Sequence, residues 1–176
     1  MELISRMMDG SISYDPENRL EPVTSGPGAR QEDKIERLKE VPIFEGCSQR
    51  QLQSVAKIAR IFDVVANTVL ARAGEPGEEF FLIMDGSARV EVSADKRALL
   101  RPGEFFGEMS ILDGSARSAT VVAETPLRLL VISRQHFAAL LADVPGLTQA
   151  LLVTLSRRVR QAEDRVEQLG AASTGL

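Results

Sequence analysis

The amino-acid sequence predicts a mainly β chain with flanking α: a β-jelly-roll barrel with helices before it and one long helix after it. Three observations lead there. Between Ile58 and Ile132, short apolar or alternating runs recur at regular spacing, separated by Gly and Pro turns, which is the pattern of an all-β barrel or jelly roll. On both sides of that region the apolar residues return at helical spacing. From Leu152 onward they repeat at 3-4-3-4-3, a heptad pattern of nearly three repeats.

Each element can be justified in order. Residues Met1 to about Gln31 hold turn formers (Asp15-Pro16, Glu21-Pro22, Gly26-Pro27-Gly28) and no sustained period, so segment 1–31 reads as a flexible, solvated tail. A helix follows over Asp33–Glu40 with Ile35 and Leu38 on one face; Pro42 stops it, and Ile43-Phe44 form an apolar turn. Ser48 can cap the next helix, whose inward residues are Leu52, Val55 and Ala56. Strands are expected at Ile58–Val65, Val69–Ala71 and Phe80–Met84. Asp85-Gly86 then signals a hairpin into the alternating run Ala88, Val90, Val92. After a turn at Ala94-Asp95-Lys96, a return strand ends at Leu99-Leu100. Two more strands cover Thr120–Ala123 and Leu127–Ile132. Ser133 caps a helix carrying Phe137, Leu140 and Leu141, which Pro145-Gly146 break. The long helix is expected from Leu147 to Leu169, ending at Gly170. The domain reading is thus 1–31 tail, 32–146 barrel with flanking helices, 147–169 long helix and 170–176 tail.

The chemistry concentrates in Phe106–Val121, FGEMSILDGSARSATV. A short helix starting near Gly107 would aim free N–H groups at an anion. Arg117 would add a positive, bidentate fork. Glu108, an acceptor only, suits a hydroxyl rather than a phosphate. Anion donors, a guanidinium and a hydroxyl-seeking carboxylate together describe a pocket for a sugar phosphate.

This stretch resembles the phosphate-binding cassette of the cyclic nucleotide-binding domain, the module of catabolite activators, of regulatory subunits of cyclic-AMP-dependent kinase and of cyclic-nucleotide-gated channels. The F-G-E opening and the R-S-A-T-V close both match, with Ala116 where many members place proline. Leu38–Ser48 resembles the helical lead-in of the same domain, so the likeness covers about Leu38 to Leu169. The resemblance implies roles. Arg117 pairs with the cyclic phosphate, and the backbone N–H groups of Ser110 and Ser118 donate to its oxygens. Glu108 with the Gly107 backbone takes the ribose 2′-hydroxyl, and Leu100 and Met109 line the sugar and base. In catabolite activators the long helix presents a Thr-Ser pair to the adenine; alignment on Arg157-Arg158 puts Ala162 and Glu163 there, so Glu163 becomes the candidate base contact. The resemblance favours cyclic AMP as the ligand, by family frequency, with cyclic GMP left open, and no further cofactor is implied.

Composition sets the outer bounds. The chain has 176 residues, 44% hydrophobic and 26% charged, with a net charge of −4. It carries no overall basic signature for nucleic acid. No run approaches the roughly 18 apolar residues of a membrane span, and Met1–Gly10 lacks a signal-peptide core, so a cytoplasmic protein is expected. Cys47 is the single cysteine, and His136, the single histidine, lies beyond the barrel. Neither a metal-ligand set nor a nucleophile triad is visible, so the expectation is a binding module and not an enzyme. The seven residues from Gly170 to Leu176 are too few for a recognition helix, which favours a sensor or regulatory subunit without direct DNA binding, acting on an unknown effector. Leu152, Leu155, Val159, Ala162, Val166 and Leu169 fit either a parallel homodimer seam or a helix packed on its own barrel. The alternative function is a dimerisation or scaffold module that keeps the cassette as fold.

Overall fold

The computed structural model describes residues 31–93 and 96–173. The expected leader 1–30, the turn residues Ala94-Asp95 and the last residues 174–176 lie outside them. The described residues fall into two compact units: Ala59–Arg134, and a helical unit joining 31–58 with 135–173.

The first unit is built from eight strands: β1 (Arg60–Val64), β2 (Val69–Ala71), β3 (Glu79–Asp85), β4 (Ala88–Ser93), β5 (Lys96–Leu100), β6 (Phe105–Phe106), β7 (Thr120–Ala123) and β8 (Leu127–Ser133). They form two four-stranded antiparallel sheets in the orders β1-β8-β3-β6 and β2-β7-β4-β5, the jelly-roll-like arrangement expected from the sequence. The alternation of β3 and β8 sets the core. Phe81 and Ile83 pair with Val131 and Leu129 and meet Leu70, Ala88, Val121 and Ala123 from the other sheet. Phe80, Leu82, Leu130 and Ile132 point to the opposite face and are buried as well, which explains why these strands read as continuous apolar runs. β6 was not foreseen: two residues carry no period. It is held by a Phe81–Phe106 stack at 4.7 Å between ring centroids and by Phe105 against Phe80.

At the β3–β4 hairpin Gly86 has φ 79°, and its N–H donates to the Asp85 carboxylate at 2.9 Å. A Cβ there would also run into the Pro126 carbonyl. Both constraints demand glycine.

The helical unit comprises α1 (Gln31–Lys39), a single 3₁₀ turn (Pro42–Phe44), α2 (Gln49–Ile58), most of α4 (Arg134–Asp143) and α5 (Pro145–Ser173); α3 (Glu108–Asp113) belongs to the barrel unit and is described with the site. Ile35, Leu38, Phe44, Leu52, Val55 and Ala56 are buried, as their spacing predicts. The Ser48 cap is reciprocal: the Gln51 N–H donates to Ser48 Oγ at 3.3 Å, and the Ser48 N–H donates back to Gln51 Oε1 at 2.8 Å. Lys34 Nζ donates to the Ala56 carbonyl at 2.9 Å, satisfying an acceptor in the last turn of α2.

The bounds of α5 differ from expectation. Pro145 starts the helix instead of holding it off, because the first helical position needs no N–H and favours proline's fixed φ. Gly170 does not end it; one interior glycine costs only about 1 kcal/mol. Of the heptad positions, Leu152, Val159 and Val166 are 65%, 57% and 70% exposed; Leu147 and Leu151, which precede the heptad series, are buried. Among the described residues, no single helix is long and apolar enough to cross a membrane.

Two substitutions test this account. Gly86→Ala forces a side chain into the left-handed region and against a carbonyl, and destabilises the barrel by more than about 1 kcal/mol. Ser48→Ala removes the cap and costs about 1 kcal/mol. Denaturant unfolding followed by circular dichroism measures both against the parent chain.

Candidate functional site

The site grows from a six-residue helix, α3 (Glu108–Asp113), bracketed by two left-handed glycines. Gly107 precedes it with φ 88°, and Gly114 follows with φ 73°, donating to the Ser110 carbonyl at 3.0 Å. A β-carbon is unfavourable in that conformation, so glycine at both ends defines a short helix. Glu108, Ser110 and Ile111 are buried, while Met109 and Leu112 face outward. No side chain caps its start, so the N–H groups of the first turn are the ones a short helix leaves without intrahelical partners.

The loop after α3 returns Arg117 to this helix. Asp113 turns it, accepting from the N–H and hydroxyl of Ser115 at 2.8 and 2.6 Å; the Ser115 hydrogen bonds hold its carboxyl below the usual range. The Arg117 N–H then donates to the Glu75 carbonyl, and its own carbonyl accepts from Gly74, both at 2.8 Å. The turn between β2 and β3 therefore fixes the arginine backbone.

The Arg117 side chain is 8% exposed. It donates through one terminal nitrogen to the Gly107 carbonyl at 3.1 Å and through the other to the Glu79 carbonyl at 2.8 Å. The Glu79 carboxylate lies 3.9 Å away, and the guanidinium sits 5.5 Å from the centre of the Phe81 ring. Those two bonds use two of the five N–H donors an arginine offers. Burial pulls its pKa down, against the opposing pull of Glu79, Glu108 and Glu78. The charge is therefore under-compensated by its surroundings, the condition an anion would relieve.

Room for this side chain comes from two glycines. A Cβ on Gly77 would stand 2.6 Å from both Arg117 Nε and Ser110 Cβ. A Cβ on Gly107 would strike the Arg117 guanidinium and lie 2.6 Å from the Glu79 carbonyl. In the sequence the glycines of the Ala73–Gly77 turn, like Gly86, resemble the family's barrel glycines and are expected to serve positive φ; Gly74 does, but the φ of Gly77 is not in the left-handed range, and its constraint is space set by residues far along the chain.

The structure thus brings Gly107, Glu108, Ser110 and Arg117 into one cluster and adds Gly77, Glu79 and Phe81, which sequence reasoning missed. Ser118 follows on the loop and is exposed. Leu100, at the end of β5, is half-buried against the barrel core, and Met109 is 36% exposed on the outer side of α3. Glu163 is exposed on α5, in the helical unit.

Known proteins bear on this arrangement. The family described as cyclic nucleotide-binding domain matches residues 62–144. A cyclic nucleotide-gated potassium channel of Mesorhizobium japonicum is 35% identical over 67% of this chain and 33% of its own. A cyclic AMP receptor protein of Thermus thermophilus is 30% identical over 75% of this chain and 63% of its own. The crystal structure of the Thermus thermophilus catabolite activator protein superposes with a TM-score of 0.62 at 29% identity, covering 73% of this chain and 63% of that one. The chain therefore spans a third to under two thirds of the length of these relatives. The motif, the two sheets and the matched span agree: this chain carries, over residues 62–144, a member of the cyclic nucleotide-binding domain family.

Proposed function

We propose that this chain is a cyclic nucleotide sensor or regulatory module, and that the buried, under-compensated guanidinium of Arg117 is what receives the cyclic phosphate. The donors left on the guanidinium, with the backbone N–H groups of Ser110 and Ser118, take the phosphate oxygens. The buried Glu108 carboxylate and the Gly107 backbone take the ribose 2′-hydroxyl, and Leu100 and Met109 lie along the sugar and base. The relatives named as a cyclic-AMP receptor and a cyclic-nucleotide-gated channel support that ligand class.

The work is a binding equilibrium, with no catalytic step and no further cofactor. A ligand held better by one conformation shifts the population toward it, by no more than its differential affinity. The exposed heptad residues of α5 support a homodimer through that helix. The reading further places the protein in the cytoplasm, acting on an effector protein.

Calorimetric titration with cyclic AMP and cyclic GMP tests this. The parent chain gives saturable heat with at least one ligand. Arg117→Glu loses on the order of 3–5 kcal/mol of binding while circular dichroism shows it folded. A folded parent silent to both nucleotides overturns the sensor reading in favour of a scaffold. In the same titration Gly77→Ala, whose Cβ pushes on Arg117 and Ser110 from a position with no proposed ligand contact of its own, weakens binding at least tenfold. Unchanged affinity in that variant would show that Arg117 needs no such seat.

A further inference from the structure

Glu79 presents two acceptors to Arg117, and only one of them has a role so far. The backbone carbonyl takes a guanidinium hydrogen bond at 2.8 Å, which any residue at this position could do. The carboxylate is a separate matter. Its Oε2 lies 3.9 Å from the same terminal nitrogen, beyond hydrogen-bond distance, and the side chain is 43% exposed. It therefore offsets the arginine charge without using up a donor. Glu78 beside it has another counter-charge, Arg134, at 3.5 Å. Of the carboxylates that favour the charged form of Arg117, Glu79 has the largest influence.

We propose that the Glu79 carboxylate is a charge filter, which lets the site take the singly charged phosphodiester of a cyclic nucleotide and turns away the doubly charged monoester of the open nucleotide. This deepens the sensor reading above and rests on it. A cyclic phosphodiester has one acidic proton and carries one negative charge. Hydrolysis breaks one ring P–O bond: the hydroxyl of water joins phosphorus, and its proton goes to the freed ribose oxygen. The product is a phosphate monoester, with a charge of about −1.5 to −2 at pH 7. Attraction to a guanidinium grows in proportion to ligand charge, whereas the cost of removing that charge from water grows with its square. With Glu79 beside it, Arg117 keeps attraction enough for one charge and little for a second. The nearly buried setting of Arg117 makes desolvation decide against the monoester. Ring-opening hydrolysis of the ligand thus yields a product that the site releases.

Calorimetric titration of the full chain tests this, with cyclic AMP against adenosine 5′-monophosphate and cyclic GMP against guanosine 5′-monophosphate. The variant is Glu79→Gln, which keeps the backbone carbonyl and the side-chain shape and removes the charge. It tightens the cyclic ligand about fivefold, the scale of a partly exposed ion pair. It tightens the monoester roughly 20-fold, because the electrostatic energy rises with ligand charge. Both gains shrink at about 1 M salt, where screening acts within about 3 Å. A packing effect would move both ligands equally and survive salt. Equal shifts, gains that persist in salt, or weaker binding of either ligand overturn the proposal. A parent that binds a cyclic nucleotide, with Glu79→Gln indistinguishable from it, overturns this inference and leaves the sensor standing. A silent parent whose Glu79→Gln variant binds the monoester overturns the sensor and upholds the carboxylate as the barrier. Silence from both chains, each shown folded by circular dichroism, overturns both.

Discussion

The structure of the barrel unit turns on keeping one guanidinium charged while almost out of water. A buried charge is tolerable only with hydrogen bonds and counter-charge around it. The fold supplies these from two separated parts of the chain, the stretch Gly74–Phe81 and Gly107. The Gly107 carbonyl comes from the start of α3 and the Glu79 carbonyl from the start of β3. The Phe81 ring lies under the guanidinium, and the turn before β3 clamps the arginine backbone. Backbone carbonyls serve here as partial counter-charges that cannot rotate away. They orient the fork without neutralising it, which leaves attraction for an anion.

That requirement explains the shape of α3. Six residues are too few for a helix stable by its own hydrogen bonds. It persists because its inner face (Glu108, Ser110, Ile111) is buried and because glycines turn the chain sharply at both ends. Its brevity has a use. The first-turn N–H groups lie close to the loop that carries Arg117, so helix donors and guanidinium belong to one cluster. Glu108 sits at the junction, where its carboxylate offsets the arginine charge.

What the sequence disclosed and what it hid divide along the same line. Local signals were legible: the β-alternation of Ala88–Val92, the Ser48 cap, the Asp85-Gly86 hairpin and the Gly107-Glu108…Arg117 spacing all depend on neighbours within a few residues or on a contiguous motif. Gly77 was opaque because its constraint comes from Ser110 and Arg117, whose side chains reach it only through the fold. Phe81 read simply as core, since nothing local marks a ring as the floor under a cation. Phe105-Phe106 is a strand only because Phe81 and Leu82 pair with it. Pro145 does both of proline's jobs: the preceding helix ends at Asp143, as the sequence suggests, and the next opens at the proline itself, where no N–H is needed.

A sensor must convert binding energy into a difference that another molecule can read, and tight binding alone converts nothing. α5 carries the largest unspent apolar resource among the described helices. Covering a valine or leucine is worth about 1.5–3 kcal/mol, so the exposed Leu152, Val159 and Val166 of two chains represent several kcal/mol before the cost of association. Linkage then runs both ways: whatever degree of nucleotide preference distinguishes dimer from monomer, the dimer imposes the same factor on nucleotide affinity.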